Sequence, residues 1–525
     1  MPSAHFTALT GSLATLAARL RPQRVRVLLL ALAAFLTLGL GLVFDEGMSN
    51  FEEQSASVGW RLSPDSSPEE RINIIAIDEK SIEQLGPWPW SRSTMAQLSE
   101  ALAASGVQLQ IYDISFSEAR EGDAAFIAAL QNTQAVIAQT PALLPDQTTR
   151  TGVMTHPLGG LACTAAANHA MGFQGSAAVF AGIPKGNITA LVATDGAVRE
   201  VPAYVCVDGQ PYPALSLSAL LTMMSGDAWK VDVQPGTSLL DPIQSLRLSD
   251  YPGLEIPLDA AGNLRVSFRN APDSYRAFSA IDVINGEIPR ELLENTWALV
   301  GYTAFGLVDI VPTPYSGGAH GVELQARILG SMLDGTVPYA PKGAPLFRAL
   351  LGLAFAAILL WVAAGRERFS GYGLAVCGIA FPGIALLLHA VVLSTTNLWL
   401  GWLAPALYSL CAAVLLILHE YARVRLERGR VLDNLSSYLP SEIAQEIAYA
   451  LPNSSISARR QNVTLLSADL RNFSAYGEAR PPEEAAALLH YFFVRTTEII
   501  EKHMGSVHEF KGDSLLAMWD GSDEK

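Results

Sequence analysis

The sequence predicts a membrane protein in which an exported α/β domain is held by one transmembrane helix before it and three after it. A small α+β region follows the last helix. Of the 525 residues, 50% are hydrophobic and only 16% are charged, a balance that favours membrane segments in addition to globular cores. Arginine clusters beside the apolar runs indicate the orientation, and strands alternating with helices between the first two runs indicate a parallel sheet.

The apolar runs have close to the ~20 residues that a bilayer core requires. We predict transmembrane helices at 27–44, 349–364, 374–394 and 398–418. A cleaved signal peptide is the alternative for the first run, but no small-x-small cleavage pattern precedes Asp45 and Glu46. The sequence therefore favours a retained first helix.

Arginine clusters set the predicted orientation of these helices. They precede the first run, fill the loop between the second and third, and follow the fourth: Arg19, Arg21, Arg24, Arg26, Arg366, Arg368, Arg423, Arg425, Arg428 and Arg430. Because positively charged loops stay inside, we expect residues 1–26 and the chain after 418 to be cytoplasmic. Residues 45–345 are then exported, and membrane lipid surrounds the helices.

Charge and cysteine content restrict the partners and the compartment. A formal net charge of −15 argues against nucleic acid as a partner, because phosphate contacts need a basic surface. Cys377 and Cys411 lie inside predicted helices, whereas Cys163 and Cys206 lie in the exported part. An oxidising compartment allows the exported cysteines to pair, but the sequence does not show whether they approach each other, so a disulfide stays open.

In the exported region, short apolar strands alternate with helices. We predict strands at 72–77, 107–112 and 135–138 and helices at 93–105 and 124–131. This pattern is typical of an α/β domain with a mostly parallel sheet. Asp78 and Asp113 directly follow predicted strands, so both carboxylates are expected near the carboxyl edge of the sheet, where such domains place ligands.

The exported region resembles the CHASE2 extracellular sensory domain over about residues 51–335. The sequence motifs that carry the resemblance are Ile77-Asp-Glu-Lys-Ser, Leu85-Gly-Pro-Trp-Pro-Trp-Ser-Arg92, Tyr112-Asp-Ile-Ser-Phe, Val300-Gly-Tyr-Thr-Ala and Gly321-Val-Glu-Leu-Gln-Ala326. The resemblance implies a bacterial inner-membrane sensor with an unknown extracytoplasmic ligand. Asp78, Arg92 and Asp113 are candidate contacts, although Arg92 as a buried ion-pair partner of Asp78 or Asp113 is the structural alternative.

After the fourth span, residues 419–435 carry apolar side chains at helical spacing, so we predict that the helix continues into the cytoplasm. Such a helix can couple two subunits of a dimer. A break at Tyr438-Leu-Pro-Ser-Glu442, a short helix to about Tyr449 and a linker at 451–457 complete the segment 419–460. An inert spacer is the alternative.

The last residues, 461–525, place an acidic residue beside each of two apolar strands. We predict a strand at 463–468, a helix at 482–503, a strand at 506–510, a turn at Gly512 and a strand at 514–519. Asp469 and Asp513 flank these strands, and two adjacent carboxylates are suited to holding Mg²⁺ or Mn²⁺ against a triphosphate.

Two sequence motifs in this region resemble the first half of a class III nucleotide cyclase domain. They are Val463-Thr-Leu-Leu-Ser-Ala-Asp-Leu-Arg-Asn-Phe-Ser474 and Glu509-Phe-Lys-Gly-Asp-Ser-Leu-Leu-Ala-Met-Trp519. The resemblance implies a ferredoxin-like fold, a homodimer and two Mg²⁺ or Mn²⁺ ions. It assigns metal binding to Asp469, Asp513 and the Leu470 carbonyl, and phosphate binding to the turn 472–474, which consists of Asn472, Phe473 and Ser474. The transition-state Asn and Arg are expected beyond Lys525, so the 525 residues are expected to be inactive alone.

The choice of purine base stays open. Glu509 occupies the position at which guanylate-type members carry Glu and adenylate-type members carry Lys. A carboxylate there accepts hydrogen bonds from guanine N1 and N2, whereas adenine N1 is itself an acceptor. Lys511 lies two residues on and is expected on the same face as Glu509 and Asp513, where it can donate to adenine or pair with Glu509. ATP and GTP are therefore both candidate substrates.

The favoured function is a membrane-bound cyclase that converts ATP or GTP to a 3′,5′-cyclic nucleotide and pyrophosphate under control of the exported sensor. A sensor and dimerisation protein with a catalytically dead pseudo-cyclase output is the first alternative. Another kind of output domain is the second. A diguanylate cyclase is the specific rival, but its Gly-Gly-Asp/Glu-Glu-Phe turn is absent from the sequence.

Overall fold

The computed structural model describes residues 22–57, 59–60, 64–144, 146–224, 229–248, 251–306, 310–311, 318–365, 367–436 and 462–520. The chain divides into two compact units, Met1–Leu416 and Ile417–Lys525, and each is described by itself. The break, short helix and linker predicted within 437–460 lie outside the described residues.

The first unit contains most of the strands. They are β1 Glu69–Ile77, β2 Leu109–Ser115, β3 Gln134–Ala142, β4 Arg150–Thr151, β5 His169–Ala170, β6 Gly172–Gln174, β7 Lys185–Asn187, β8 Leu191–Val192, β9 Val198–Pro202, β10 Tyr204–Val207, β11 Gln210–Pro213, β12 Val231–Pro235, β13 Gln244–Leu248, β14 Tyr251–Leu258, β15 Asn263–Arg265, β16 Tyr275–Ser279, β17 Trp297–Tyr302, β18 Ile310–Val311 and β19 Ala319–His320.

Most of its helices either cover the main sheet or have the length and composition of membrane spans. They are α1 Pro22–Val43, α2 Asp45–Ala56, α3 Glu79–Leu85, α4 Arg92–Ala104, α5 Asp123–Gln131, α6 Leu215–Met224, α7 Ala280–Ile284, α8 Gly321–Leu333, α9 Ala344–Ala363, α10 Glu367–Thr396 and α11 Leu403–Ser436, of which α11 continues into the second unit.

The main sheet has the strand order β16-β1-β17-β2-β3-β6-β4, with β7 also paired to β3. The pairs from β16 to β3 are parallel, as is β3 with β7. Most residues of β1, β2, β3 and β17 are buried because helices cover the sheet, and Ile75, Ile77 and Val300 are fully buried in the core. The predicted alternation of strands and helices is confirmed.

One predicted strand boundary is wrong. The strand β2 does not end before Asp113 but continues to Ser115, with an irregularity in its pairing between Tyr112 and Ser115. The reason is that Ile114 is buried, as is Phe116 just beyond, and their burial in the core draws the chain onward. Asp113 therefore lies within the strand instead of beyond its end.

Among the described residues, four helical segments are long and apolar enough to cross a membrane: Gln23–Val43, Ala344–Ala363, Gly371–Thr396 and Leu403–Val431. The fourth begins later than the predicted residue 398. Asn397 and Gly401 adopt left-handed backbone conformations, with φ of 58° and 76°, and these interrupt the helix before Leu403. From Leu403 the helix α11 is unbroken to Ser436, which confirms the predicted continuation beyond the span.

A buried ion cluster joins the helix α2, which follows the candidate membrane span in α1, to the strands β9 and β15. The guanidinium of Arg265 donates to both carboxylate oxygens of Glu53, at 2.8 and 2.7 Å, and to Glu200 at 2.9 Å. It also stacks over Trp399, 4.2 Å from the ring centroid. The side chains of Arg265 and Glu53 are only 14% and 16% exposed, so this cluster is largely shielded from water.

The neighbouring carboxylate of α2 holds the start of α11. Oε1 of Glu52 accepts hydrogen bonds from the backbone N–H groups of Trp402 and Leu403, at 2.6 and 3.2 Å. These N–H groups lie where a helix has no internal acceptor, and a negative charge there also complements the helix dipole. Glu52 thus supplies an N-terminal cap from a different helix.

Cys163 and Cys206 form a disulfide with Cα atoms 6.0 Å apart, which answers the question that the sequence left open. Cys206 lies in β10 beside the short strand β5, and Cys163 lies in the irregular segment before β5. The bond therefore ties a segment with little regular structure to a buried strand.

The second unit contains β20 Val463–Asp469, α12 Phe473–Glu478, α13 Pro482–Lys502, β21 Ser506–Lys511 and β22 Ser514–Asp520. The strands form an antiparallel sheet in the order β20-β22-β21. Ile500 of α13 packs against Val507, Leu515 and Ala517 of the sheet. The predicted strand, long helix and hairpin are confirmed, whereas α12 was not predicted.

We expect Arg265→Met to lower the free energy of unfolding by about 3 kcal/mol, because it leaves the Glu53 and Glu200 carboxylates buried without a cation. Arg247→Met is the matched control, since Arg247 pairs with Glu255 at an exposed site where the side chains are 40% and 46% accessible. Its expected cost is about 0–1 kcal/mol. Thermal unfolding of the purified full chain in detergent measures both, and equal losses contradict the assignment.

The disulfide provides a test of compartment. In a Cys377→Ser, Cys411→Ser background, we expect neither remaining thiol to react with a maleimide until a reductant is added. In cells that lack the periplasmic disulfide-forming enzyme, both thiols should react without a reductant, because the enzyme that oxidises thiols in that compartment is missing. Free thiols in normal cells would show that residues 163 and 206 do not reach an oxidising compartment.

Candidate functional site

Asp469 and Asp513 are brought together by the register of the second unit's sheet. Asp469 is the last residue of β20 and pairs with Ser514, the first residue of β22. The backbone N–H of Leu470 donates to the carbonyl oxygen of Asp513 at 3.2 Å. Asp469 therefore ends β20, Asp513 directly precedes β22, and both lie at the same end of this strand pair.

The tight hairpin that carries Asp513 is fixed by a turn and by the core beneath it. Lys511 pairs with Ser514, which leaves only Gly512 and Asp513 in the turn, and Gly512 has a φ of +63°. Behind the turn, Leu515 is 1% exposed and the ring of Phe510 lies 4.5 Å from that of Phe493 in α13. Packing on α13 therefore holds the hairpin, and with it the Asp513 backbone, against β20.

The residues after Asp469 make a second tight turn. Asn472 has φ 65° and ψ 25°, the left-handed conformation that asparagine tolerates, and it directly precedes α12. The N–H of Phe473 donates to the Leu470 carbonyl at 3.3 Å, and that of Tyr476 donates to the Asn472 carbonyl at 3.1 Å. Ser474 is exposed in the first turn of this helix. The predicted phosphate-binding residues therefore form one compact turn beside Asp469.

Glu509 and Lys511 are both exposed in β21, where alternation places them on one face. Glu509 pairs with Leu516 across an irregularity that follows Val507. The expectation that Asp513 shares this face by strand alternation is wrong, because Asp513 lies in the turn and not in a strand. Within the described part of the chain, Glu509 and Lys511 form no ion pair with each other.

The donor set at the two aspartates has the chemistry that Mg²⁺ selects. Across the described ranges, no group of three or more His, Cys, Asp and Glu side chains is placed to hold a metal ion. Mg²⁺, however, is usually held by one or two carboxylates together with waters and substrate phosphates, not by a complete protein cage. An exposed Asp469, a half-exposed Asp513 and the nearby Leu470 backbone meet that requirement.

In the exported domain, Asp78 has a structural role. One carboxylate oxygen, Oδ1, accepts hydrogen bonds from the Ser81 N–H at 2.9 Å, the Ser81 hydroxyl at 2.6 Å and the Ser279 hydroxyl at 2.8 Å. Burial acts to raise the pKa of Asp78, but these hydrogen bonds outweigh it and hold the pKa below its usual range. Asp78 caps α3 and fastens the ends of β1 and β16 together.

Arg92 is a buried ion-pair residue, but its expected partners were wrong. Its Nε donates to Asp123 at 2.7 Å and its Nη2 donates to the Glu118 carbonyl at 3.1 Å. The partner is Asp123, not Asp78 or Asp113, because α4 and α5 pack side by side and Asp123 is the first residue of α5. Asp113 instead acts on Tyr302. Burial is the main cause that raises the pKa of the Tyr302 hydroxyl, and the negative charge of Asp113 raises it further.

The structure shows one feature of this region that the sequence did not reveal. A cavity of about 160 Å³ lies at the carboxyl edge of β2 and β17, and Ser115, Arg120 and Tyr302 are among its lining residues. The segment Trp88-Pro-Trp90, just before Arg92, forms part of the cavity wall. Ser115 belongs to the motif Tyr112-Asp-Ile-Ser-Phe, but no spacing in the sequence shows that Ser115 and Arg120 lie beside Tyr302, because only the sheet brings them together.

Comparison with known proteins identifies the larger unit and gives one relative. The CHASE2 domain family matches residues 27–366. Adenylate cyclase 1 of Rhizobium meliloti (strain 1021) is 34% identical over 82 residues, which are 16% of this chain and 12% of that protein. The chain therefore aligns with only a small part of this curated relative, and no solved structure is similar to the chain. Because the family match extends over more than half of the sequence, the chain belongs to the CHASE2 domain family.

Proposed function

We propose that the protein is a CHASE2 sensor whose cytoplasmic region forms part of a nucleotide cyclase, which converts ATP or GTP to a 3′,5′-cyclic nucleotide and pyrophosphate. The observation that carries the proposal is the placement of Asp469 and Asp513 at one edge of the β20–β22 pair. A relative named adenylate cyclase supports the same reaction class.

In this proposal, Asp469 and Asp513 supply the carboxylate oxygens that bind two Mg²⁺ or Mn²⁺ ions, with the Leu470 carbonyl as a further ligand. When bound, such ions would neutralise charge on the triphosphate and favour loss of the ribose 3′-hydroxyl proton to water. The N–H groups of Asn472 and Ser474 would orient the phosphates, because the N–H of Phe473 already donates to the Leu470 carbonyl within the turn. The 3′-oxygen then bonds to the α-phosphorus, the bond to the bridging oxygen breaks, and pyrophosphate leaves with that electron pair.

We infer that the exported domain controls this site through α11. The helices Gln23–Val43, Ala344–Ala363, Gly371–Thr396 and Leu403–Val431 would cross the bacterial inner membrane, with the arginine clusters inside. The unbroken course of α11 from Leu403 to Ser436 supports direct mechanical coupling from the membrane to the cytoplasm. Homodimerisation through this helix and the cyclase region would complete the catalytic site.

The proposal predicts that Asp469→Asn and Asp513→Asn each lower cyclic nucleotide formation by at least 100-fold, because each removes one of the two metal-binding carboxylate charges. Glu498→Gln is the matched control, since Glu498 is an exposed carboxylate on α13 that pairs with Arg495. The assay uses the natural full-length protein in membranes, α-labelled ATP or GTP, and Mn²⁺. If Asp469→Asn keeps the wild-type rate, the reaction does not depend on this site; if no variant and no wild type forms product, the output is a pseudo-cyclase.

A second prediction concerns the base. We expect Glu509→Lys to raise the ratio of ATP to GTP turnover by at least tenfold, because it replaces an acceptor for guanine with a donor for adenine N1. Lys511→Met should move the same ratio in the opposite direction. Competition between the two nucleotides in one reaction measures it, and an unchanged ratio in both variants excludes this strand from base selection.

A further inference from the structure

The cavity of about 160 Å³ in the exported domain has the position of a ligand site. It lies where β2 and β17 end, and in open parallel sheets ligands bind at the carboxyl ends of the strands. Its wall includes Trp88, Trp90, Arg92, Ser115, Arg120 and Tyr302. Aromatic rings line the cavity, but polar groups contribute the larger part of its accessible surface, so a ligand must present a polar group as well as an apolar one.

The polar groups that remain free in this wall are hydrogen-bond donors. The Arg92 side chain is 7% exposed and uses Nε and Nη2 for Asp123 and Glu118, which leaves Nη1 without a partner in the described residues. The Ser115 hydroxyl is buried and likewise has no hydrogen-bond partner among them. The unpaired Ser115 hydroxyl is costly because it is buried, and a ligand that supplies an acceptor would relieve that cost.

The acidic groups nearby are already engaged. The Asp123 carboxylate accepts from Arg92 Nε at 2.7 Å and from the Arg120 N–H at 2.8 Å. Glu118 pairs with the Arg120 side chain at 3.0 Å at the exposed rim, and Asp113 does not line the cavity. The groups left for a ligand are thus the guanidinium edge of Arg92 and the Ser115 hydroxyl inside, and the Arg120 guanidinium at the rim.

Aromatic rings give the cavity rigid walls. Trp88 lies edge-on to Trp90 and to Tyr302, with ring centroids 5.4 and 5.0 Å apart. The guanidinium of Arg92 rests on Phe116, 4.7 Å from its centroid. The cation is consequently held between an apolar surface and an ion pair, and its free edge is fixed in direction.

We propose that this cavity binds a small organic carboxylate whose apolar body is no larger than one aromatic ring. The carboxylate supplies the acceptors that Arg92 Nη1 and the Ser115 hydroxyl lack, and the body packs against Trp88 and Tyr302. A cavity of about 150 Å³ holds one benzene molecule, so the size agrees with a single ring. The inference extends the proposed function by naming the ligand class of the sensor.

Benzoate is the probe, and benzamide, which has the same ring without the charge, is its control ligand. Binding to the purified full chain in lipid nanodiscs is measured by calorimetry without any nucleotide, so the result is separate from the proposed cyclase activity. We expect benzoate to bind and benzamide to bind at least tenfold more weakly. Ser115→Leu, which fills the cavity, and Arg120→Met should each weaken benzoate binding at least tenfold.

Arg150→Met is the matched protein control, because Arg150 also pairs with an aspartate, Asp208, and stacks on Phe173, but lies outside the cavity. It should bind benzoate like the wild type. Thermal unfolding verifies that each variant is folded. Benzoate that binds no better than benzamide, or that binds Ser115→Leu as well as the wild type, overturns the proposal.

Discussion

The contact on which the first unit depends is the buried ion cluster around Arg265. One guanidinium holds Glu53 of the membrane-proximal helix α2, Glu200 of β9 and the ring of Trp399, which precedes α11. Water is largely excluded, so the charges interact strongly and none can leave without stranding another. Because α2 also caps α11 through Glu52, α2 connects β9 and β15 to the start of α11. Short, charged contacts make this connection.

The sequence predicted what depends on local pattern. The membrane helices follow from apolar runs of sufficient length, and the strands and helices of both units follow from hydrophobic periodicity. The predictions were wrong or incomplete where local turns or tertiary contacts determine the limits of an element. The fourth membrane helix starts at Leu403 because Asn397 and Gly401 turn the chain, although the residues before Leu403 are as apolar as the helix itself. The short helix α12 was missed because Phe473–Glu478 is too brief to show a period.

The candidate sites show the same division. The sequence predicted that Asp469 and Asp513 lie close together. Asp469 ends β20, and Asp513 lies in the two-residue turn between β21 and β22, the strand that pairs with β20. Arg92 could be recognised as buried and charged, but its partner depends on how α4 packs against α5, which no spacing in the sequence encodes. The cavity beside it is assembled from segments distant in sequence, so Ser115 and Arg120 have meaning only once β2 and β17 are adjacent.

We propose that Asp469 and Asp513 hold divalent cations together with a purine nucleoside triphosphate. The most direct measurement is the uptake of Mn²⁺ by the natural full-length protein, followed by electron paramagnetic resonance, with and without non-cyclisable analogues of ATP and GTP. We expect one analogue to promote Mn²⁺ binding to the wild type. We expect Asp469→Asn to abolish this nucleotide-dependent binding. Equal Mn²⁺ uptake by the wild type and Asp469→Asn in the presence of either analogue would contradict it.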